Sequence, residues 1–392
     1  MIDTELENNL RFLMNLLKVN GYWPFINKKK LIMMRTFYFF VIMSLTVPIG
    51  INLYKARHNM DYFCECVSMA AIIPLGWISY YFQLSKTSTL RSLFTSMFKD
   101  YETFQINKYE YEILLKFAKK TQFFVMVYLV YTSSTCIFYC LIGQIPYYLD
   151  FIIPLNESRQ KYFSAELDYI FFDKYEYYMP VSMHLATAGL YIIHLIVLAD
   201  AILLTFARHA CAMFCILRYR LKTINVNAEG ERIDHDYDQM YKNVRGCAIL
   251  HSRILLFLDD INSCYAMCLL IFIGVTVIIM SFHGSMMVLK QHDLTYLIKG
   301  LVIAVGQSIH VFLNCLTGQM VQTQSANLCN YIYNFEWYEA QEKVKMSIYF
   351  MILKSETECN LYVGKTAVLG LELFSTIMKT IFSYLNVLNS RN

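Results

Sequence analysis

An all-α, polytopic membrane protein with seven transmembrane helices is the fold class this sequence predicts, and three observations carry it. Of 392 residues, 57% are hydrophobic and 16% charged, whereas soluble domains run at about 45–50% apolar and about 25% charged. A helix needs about 20 mostly apolar residues to cross the hydrocarbon core, and seven stretches meet that need: 31–53, 62–84, 121–143, 180–206, 264–289, 297–320 and 362–388. Lys and Arg crowd into alternate flanks of these stretches, as cytoplasmic segments do.

The elements follow in order. The tail before span 1 carries Arg11, Lys18, Lys28, Lys29 and Lys30; it has no uninterrupted apolar run or small-residue cleavage site, so no cleaved signal peptide is expected. Spans 1 and 2 enclose only Lys55 and Arg57. After span 2 come Lys86, Arg91, Lys99, Lys108, Lys116, Lys119 and Lys120, with Leu93, Met97, Tyr101 and Phe104 at helical spacing. The loop between spans 3 and 4 holds three basic residues and the sequon Asn156-Glu157-Ser158, a glycosylation acceptor if that side is extracellular. Span 4 contains His184, His194 and Asp200, and the segment after it is again basic, from Arg208 to Arg253. Residues 341–360 are charged and lack a long apolar run, and span 7 holds Glu372 and Lys379. The charge bias places the N-terminus inside and, after seven spans, the C-terminus outside. Spans 2 to 6 are expected to continue as helices into a cytoplasmic anchor region, and 1–392 reads as one domain.

Several function classes are disfavoured. A net charge of +4 spread along the chain offers no nucleic-acid footprint. Twelve cysteines, mostly within apolar segments, do not form a disulfide framework. No phosphate loop, His-Glu-x-x-His motif or nucleophile elbow is present, so no enzyme activity is expected. His209, Cys211 and Cys215 lie within two helical turns, but a fourth ligand is not evident, and no metal or other cofactor is assigned. A seven-helix G-protein-coupled receptor needs its N-terminus outside; a transporter using Asp200, Glu372 and Lys379 as a charge relay predicts an internal repeat, and none is visible.

Polar residues inside spans point elsewhere. In span 7, Glu372, Ser375, Thr376, Lys379, Ser383, Asn386 and Ser390 recur every three or four residues. One hydrophilic stripe suits a water-filled pore, or polar contacts across a helix interface. In the outer halves of the other spans, Met69, Ile73, Tyr131, Ser134, Phe138, His184, Thr187, Tyr191, Ile303 and Gln307 are candidates to line an apolar cavity for a small volatile or lipophilic ligand. Ordinary bundle packing would use the same residue types.

The segment 331–338 (Tyr-Ile-Tyr-Asn-Phe-Glu-Trp-Tyr), then 369–374 (Leu-Gly-Leu-Glu-Leu-Phe) and 379–388 (Lys-Thr-Ile-Phe-Ser-Tyr-Leu-Asn-Val-Leu) resemble the signature of insect odorant receptors. The run His209 to Phe214 is similar to the version found in bees, wasps and ants. The resemblance implies an odorant-tuning subunit of a tetrameric, ligand-gated, non-selective cation channel that assembles with a shared coreceptor in the plasma membrane of olfactory sensory neurons. It implies subunit anchoring near Tyr333, Trp337 and Phe374, and a pore lined by the outer part of span 7, where Ser383, Asn386, Val387, Ser390 and Arg391 fall. Val387 matches the hydrophobic gate; Arg391 departs from the apolar residue expected there. The coreceptor carries a large insertion after span 4 that is lacking here. Gustatory receptors share the fold, but their Gln-Phe ending is absent.

Overall fold

The computed structural model describes residues 4–70, 72–154, 159, 161–224, 237–334, 337 and 340–389. Among these, helices α1 (Thr4–Val19), α2 (Lys28–Ala56), α3 (Met60–Met69), α4 (Ile72–Ser85), α5 (Thr87–Phe104), α6 (Lys108–Ile152), α7 (Tyr178–Lys222), α8 (Tyr237–Leu289), α9 (Leu294–Tyr333), α10 (Glu342–Ser355) and α11 (Leu371–Asn389) follow in order. A short hairpin, β1 (Tyr362–Val363) and β2 (Ala367–Val368), precedes α11.

Local chemistry sets several helix starts. The side chains of Asn27, Asn59, Asn107 and Asp293 accept backbone N–H groups in the first turns of α2, α3, α6 and α9. Such caps satisfy donors that have no partner within the helix. Span 2, expected over 62–84, is recovered as one stretch of membrane-spanning length, Tyr62–Ser85, with the helix interrupted between α3 and α4. Pro74 supplies the reason: it lacks an N–H for the carbonyl of Ala70, and its ring crowds that carbonyl.

Among the described residues, six helical stretches are long and apolar enough to cross a membrane: Lys28–Ala56, Tyr62–Ser85, Lys108–Ile152, Tyr178–Lys222, Asp238–Leu289 and Tyr296–Tyr333. Those from α6 onward far exceed a bilayer. At about 1.5 Å per residue, the 45 residues of α6 span roughly twice the ~30 Å hydrocarbon core. The excess lies at the N-terminal ends of α6 and α8 and at the C-terminal ends of α7 and α9, which gather at one end of the bundle with α1, α5 and α10. That end carries the Lys/Arg-rich segments.

The C-terminal region departs most from expectation. A helix was expected from 362, but Tyr362 pairs with Val368 and Val363 with Ala367 in an antiparallel hairpin. Gly364 takes φ +68 at its turn, a backbone region that costs glycine little. The helix therefore begins only at Leu371 and is 19 residues long; with Glu372 and Lys379 it is not among the six stretches. Residues 341–360, charged and without a long apolar run, contain α10, which buries Val344, Ile348 and Met351 at helical spacing. The entry into α11 packs closely on α9: a Cβ added to Gly318 would lie 1.9 Å from the Leu369 carbonyl oxygen.

At the centre stands α7. From Ala201 to Leu217 almost every side chain is buried, on all sides of the helix, as expected of a helix enclosed by others. Its neighbours are α2, α4, α5, α6, α8 and α9.

Candidate functional site

A partly open cavity of about 200 Å³ lies between α2, α4, α6, α7 and α9, in the half of the bundle away from the basic end. A cavity of roughly 150 Å³ is already large enough for benzene. Leu45 and Ile49 come from α2, and Ile72 and Leu75 from α4. On α6 the lining runs Tyr128, Tyr131, Thr132, Thr135, Cys136, Tyr139 and Cys140, one stripe of a helix. Leu185, Gly189, Ile193, Ile196 and Val197 face them from α7, and Val302, Ile303, Gly306, Gln307 and His310 from α9.

The connection between α6 and α7 folds over this space. Phe163 and Leu167 are buried, and Ser164 and Ala165 join the lining. Tyr139 Oη donates to the Ser164 carbonyl at 2.9 Å, Lys299 Nζ to the Phe163 carbonyl at 3.0 Å and Tyr178 Oη to the Tyr162 carbonyl at 3.0 Å. The backbone of this loop is thereby satisfied by side chains of three helices, which a buried loop requires.

At the opposite end, polar groups meet. Tyr128 Oη donates to Asp200 Oδ2 at 3.1 Å and lies 2.9 Å from His310 Nδ1. His310 Nδ1 is 2.9 Å from the same carboxylate oxygen, and Asn314 Nδ2 donates to Asp200 Oδ1 at 3.1 Å. One carboxylate is thus held by groups from α6 and α9. A charge inside apolar surroundings is tolerated only when paired and hydrogen-bonded.

The candidate residues divide by helical face. Tyr131, Ile303 and Gln307 line the cavity. Ile73 is buried beside it, while Ile72 provides the lining. Ser134 and Phe138 lie on the exposed face of α6. Thr187 is exposed and bonds back to the Met183 carbonyl, and Tyr191 packs edge-on against Phe37. His184 faces a separate, outward-opening groove, held by Ser44 Oγ at 2.9 Å and Tyr169 Oη at 2.7 Å. These five stand away from the cavity because successive helix positions turn by about 100°, and both faces of α6 and α7 are apolar. The side chains of Met69 and Val387, and residues Asn156, Ser390 and Arg391, lie outside the described part. Tyr128, Thr135, Gly189 and His310 were missed as lining; Tyr128 and Thr135 sit one turn either side of Tyr131.

Helix α11 presents two unlike faces. Ile377 and Ile381 are buried, and Phe374 stacks edge-on against Phe312 of α9 at 5.4 Å. Glu372, Ser375, Thr376, Lys379, Ser383 and Asn386 are all exposed. Leu385 sits where a side chain on Gly284 of α8 would be. Of the expected anchor residues, Tyr333 is exposed, Trp337 half-buried and Phe374 half-buried.

The basic end is closed by buried ion pairs. His209 Nε2 lies 2.9 Å from Asp100 Oδ2, and Arg253 pairs with the other oxygen of that carboxylate. Tyr101 stacks on the His209 ring at 5.7 Å. Arg220 clasps Glu110 with two bonds of 2.6 and 2.7 Å. His209 therefore serves as the partner of a buried carboxylate within the packing.

A long-helix bundle with an apolar, lidded cavity on one side and a polar helix face turned outward defines a polytopic membrane protein with an internal space of small-molecule size. The model of the 7tm odorant receptor family matches residues 60–382, and the chain belongs to that insect family, a family of receptors rather than enzymes. It is 30% identical to odorant receptor 2a of Drosophila melanogaster over 26% of this chain and 25% of that protein. With odorant receptor 46a, isoform B, of the same fly it shares 24% identity over 52% of this chain and 55% of the relative. The matched segments thus span about a quarter to about half of those relatives. The fold is similar to that of olfactory receptor OR5 from Machilis hrabei solved in complex with eugenol, with a TM-score of 0.78 at 13% identity and 99% of each chain covered.

Proposed function

We propose that this chain is the odorant-binding subunit of a heteromeric, ligand-gated, non-selective cation channel, a tetramer assembled with the shared coreceptor in the plasma membrane of olfactory sensory neurons. It acts as a single seven-helix unit in which α11 is the seventh span, the N-terminus and the basic end are cytoplasmic, the C-terminus is extracellular, and Asn156 is an extracellular glycosylation site. The observation that carries the reading is the lidded cavity. Its apolar walls with a few hydroxyls, Gln307 and His310 suit a volatile molecule with an apolar body and one or two hydrogen-bonding groups.

Gating follows from which helices touch both regions. Helix α9 lines the cavity through residues 302–310 and bears Phe312 against Phe374 of α11. A ligand that fits the cavity better when α9 and α11 take their open arrangement shifts the population toward it, by no more than that difference in affinity. The exposed polar stripe of α11, ending at Ser383 and Asn386, supports a pore role for this helix. Val387 is the gate, Ser390 and Arg391 border it, and Tyr333, Trp337 and Phe374 serve subunit anchoring.

Whole-cell current from cells expressing this chain with and without an insect coreceptor tests the reading. A cation current that needs both subunits and an odorant, eugenol among the panel, is the expected result. In such cells, aqueous thiol reagents should modify Ser383→Cys and Asn386→Cys and change the current, while Ile377→Cys and Ile381→Cys stay protected. Silence despite surface expression, or an N-terminal tag accessible from outside, would overturn it.

A further inference from the structure

A second groove lies on the basic half of the bundle and shares no lining residue with the cavity described above. It opens between α6, α7 and α9, has a volume of about 510 Å³, and is lined by Lys116, Lys120, Phe123, Phe124, Arg208 and Gln324 among others. Three of these residues are cations, and no carboxylate lines the groove among the described residues. Arg208 is 7% exposed. Its Nε donates to Thr121 Oγ1 at 2.9 Å, its guanidinium lies 5.4 and 5.3 Å from the rings of Phe117 and Phe124, and it has no ion pair among the described residues. Lys116 and Lys120 likewise have no acidic partner within ion-pair distance among the described residues.

Arg208 differs in this from Arg220 and Arg253 at the basic end, whereas Arg218, also part-buried, is held by Gln324 and Cys215. Arg220 and Arg253 each meet a carboxylate. A buried guanidinium without one leaves much of its desolvation cost uncompensated, and an anion entering the groove would offset it. Arginine with two lysines converging on one opening matches a phosphate, which accepts several charge-assisted bonds at once. The apolar surroundings narrow the choice further. Phe123 and Phe124 are 58% and 48% exposed, one turn beyond Lys120 toward the apolar stretch 121–143, where acyl chains would lie.

We propose that this groove is a binding site for an anionic membrane lipid with a phosphorylated headgroup. The headgroup is held by Arg208, Lys116 and Lys120, and the acyl chains lie along Phe123 and Phe124. The lipid comes from the cytoplasmic leaflet, a statement that rests on the orientation given above; the site itself does not depend on the channel reading. Phosphate chemistry is shared by soluble inositol phosphates, and the experiment separates the two sources. A lipid bridging α6, α7 and α9 would brace the bundle just inside the odorant cavity.

The test uses the full chain in nanodiscs, which present both faces, so that neither orientation nor a current is needed. Retention of a labelled phosphatidylinositol bisphosphate is compared with that of phosphatidylcholine, for the native chain and for Lys116→Gln/Lys120→Gln, both exposed positions that leave the core untouched. The expected result is selective retention by the native chain and about thirtyfold weaker retention by the double variant, following the worth of two basic residues at a membrane surface. Arg208→Gln should abolish retention if it folds. Equal retention of both lipids, or retention unchanged in the double variant, overturns the proposal. Displacement by soluble inositol trisphosphate at concentrations equal to the lipid would overturn the lipid assignment in favour of a soluble phosphate.

Discussion

The two halves of the bundle solve opposite problems with the same helices. At the basic end, α7 is buried on nearly every side from Ala201 to Leu217, and the Asp100 and Glu110 carboxylates packed beside it are each paired. In the other half the same helix carries Gly189, Ile193 and Val197 against an open cavity, and polar groups are spent on holding a loop and one carboxylate. Packing to crystal-like density makes a region resist deformation, whereas an unfilled space leaves side chains free to be reorganised by a ligand. The contrast teaches where each half is sensitive. Changes at the basic end should cost folding, and changes around the cavity should cost response.

The sharpest way to break that contrast is Asp100→Ala. It removes the buried carboxylate that holds His209 and pairs with Arg253, and removal of one member of such a group costs about 3–5 kcal/mol. Thermal unfolding followed by size-exclusion fluorescence should show a large loss of folded protein. A variant that folded normally would mean that the end is not held by these pairs.

The next effect concerns how closed the basic end is. Burial pushes the Cys359 thiol up to about 11 from the usual 9.0, and its N–H is bonded to Ser325 Oγ at 2.8 Å. Because the thiolate is the reactive form, alkylation near neutral pH should run about a hundredfold slower than for a free thiol. Since the shift is upward, the rate should keep rising with pH until about 11. Mass spectrometry of labelled protein checks this.

In the cavity, Tyr128→Phe removes the hydroxyl that bridges Asp200 and His310. Loss of such a bond is worth about 1 kcal/mol, so thermal stability should fall by about that much, and the dose-response curve for an oxygenated odorant should move by no more than about fivefold. A hydrocarbon odorant of equal size should respond unchanged. Smallest of all is Thr187→Val, whose hydroxyl bonds only within its own helix; response and stability should stay within about 0.5 kcal/mol of the native protein. A large shift there would move the ligand to the other face of α7.

Legibility in the sequence followed the strength of the pattern. The apolar stretches and the basic flanks were readable because a bilayer imposes length and charge rules on every span. The start of α11 was not, since Tyr362 to Val368 has the same apolar content in a hairpin as in a helix. Ser134, Phe138, Thr187 and Tyr191 were placed on the cavity side, whereas Tyr128, Thr135 and Gly189 occupy it. Composition could not separate the two, because lipid tails are as apolar as a protein core and both faces of a membrane helix look alike. His209 had been readable only as one member of a Cys/His group; its partner Asp100 is more than a hundred residues away in the chain.

By itself, the sequence determined that the chain forms long apolar helices with one basic end, and that one face of its last helix is polar, because helical period and bilayer thickness act locally. The tertiary structure alone decided which stripe of each helix meets the cavity, that the helix is interrupted ahead of Pro74 and a hairpin shortens the last span, and that Arg220 finds Glu110 while Arg208 meets no carboxylate among the described residues. Those outcomes depend on which helices become neighbours, and neighbours are selected by packing across the whole bundle rather than by any local pattern.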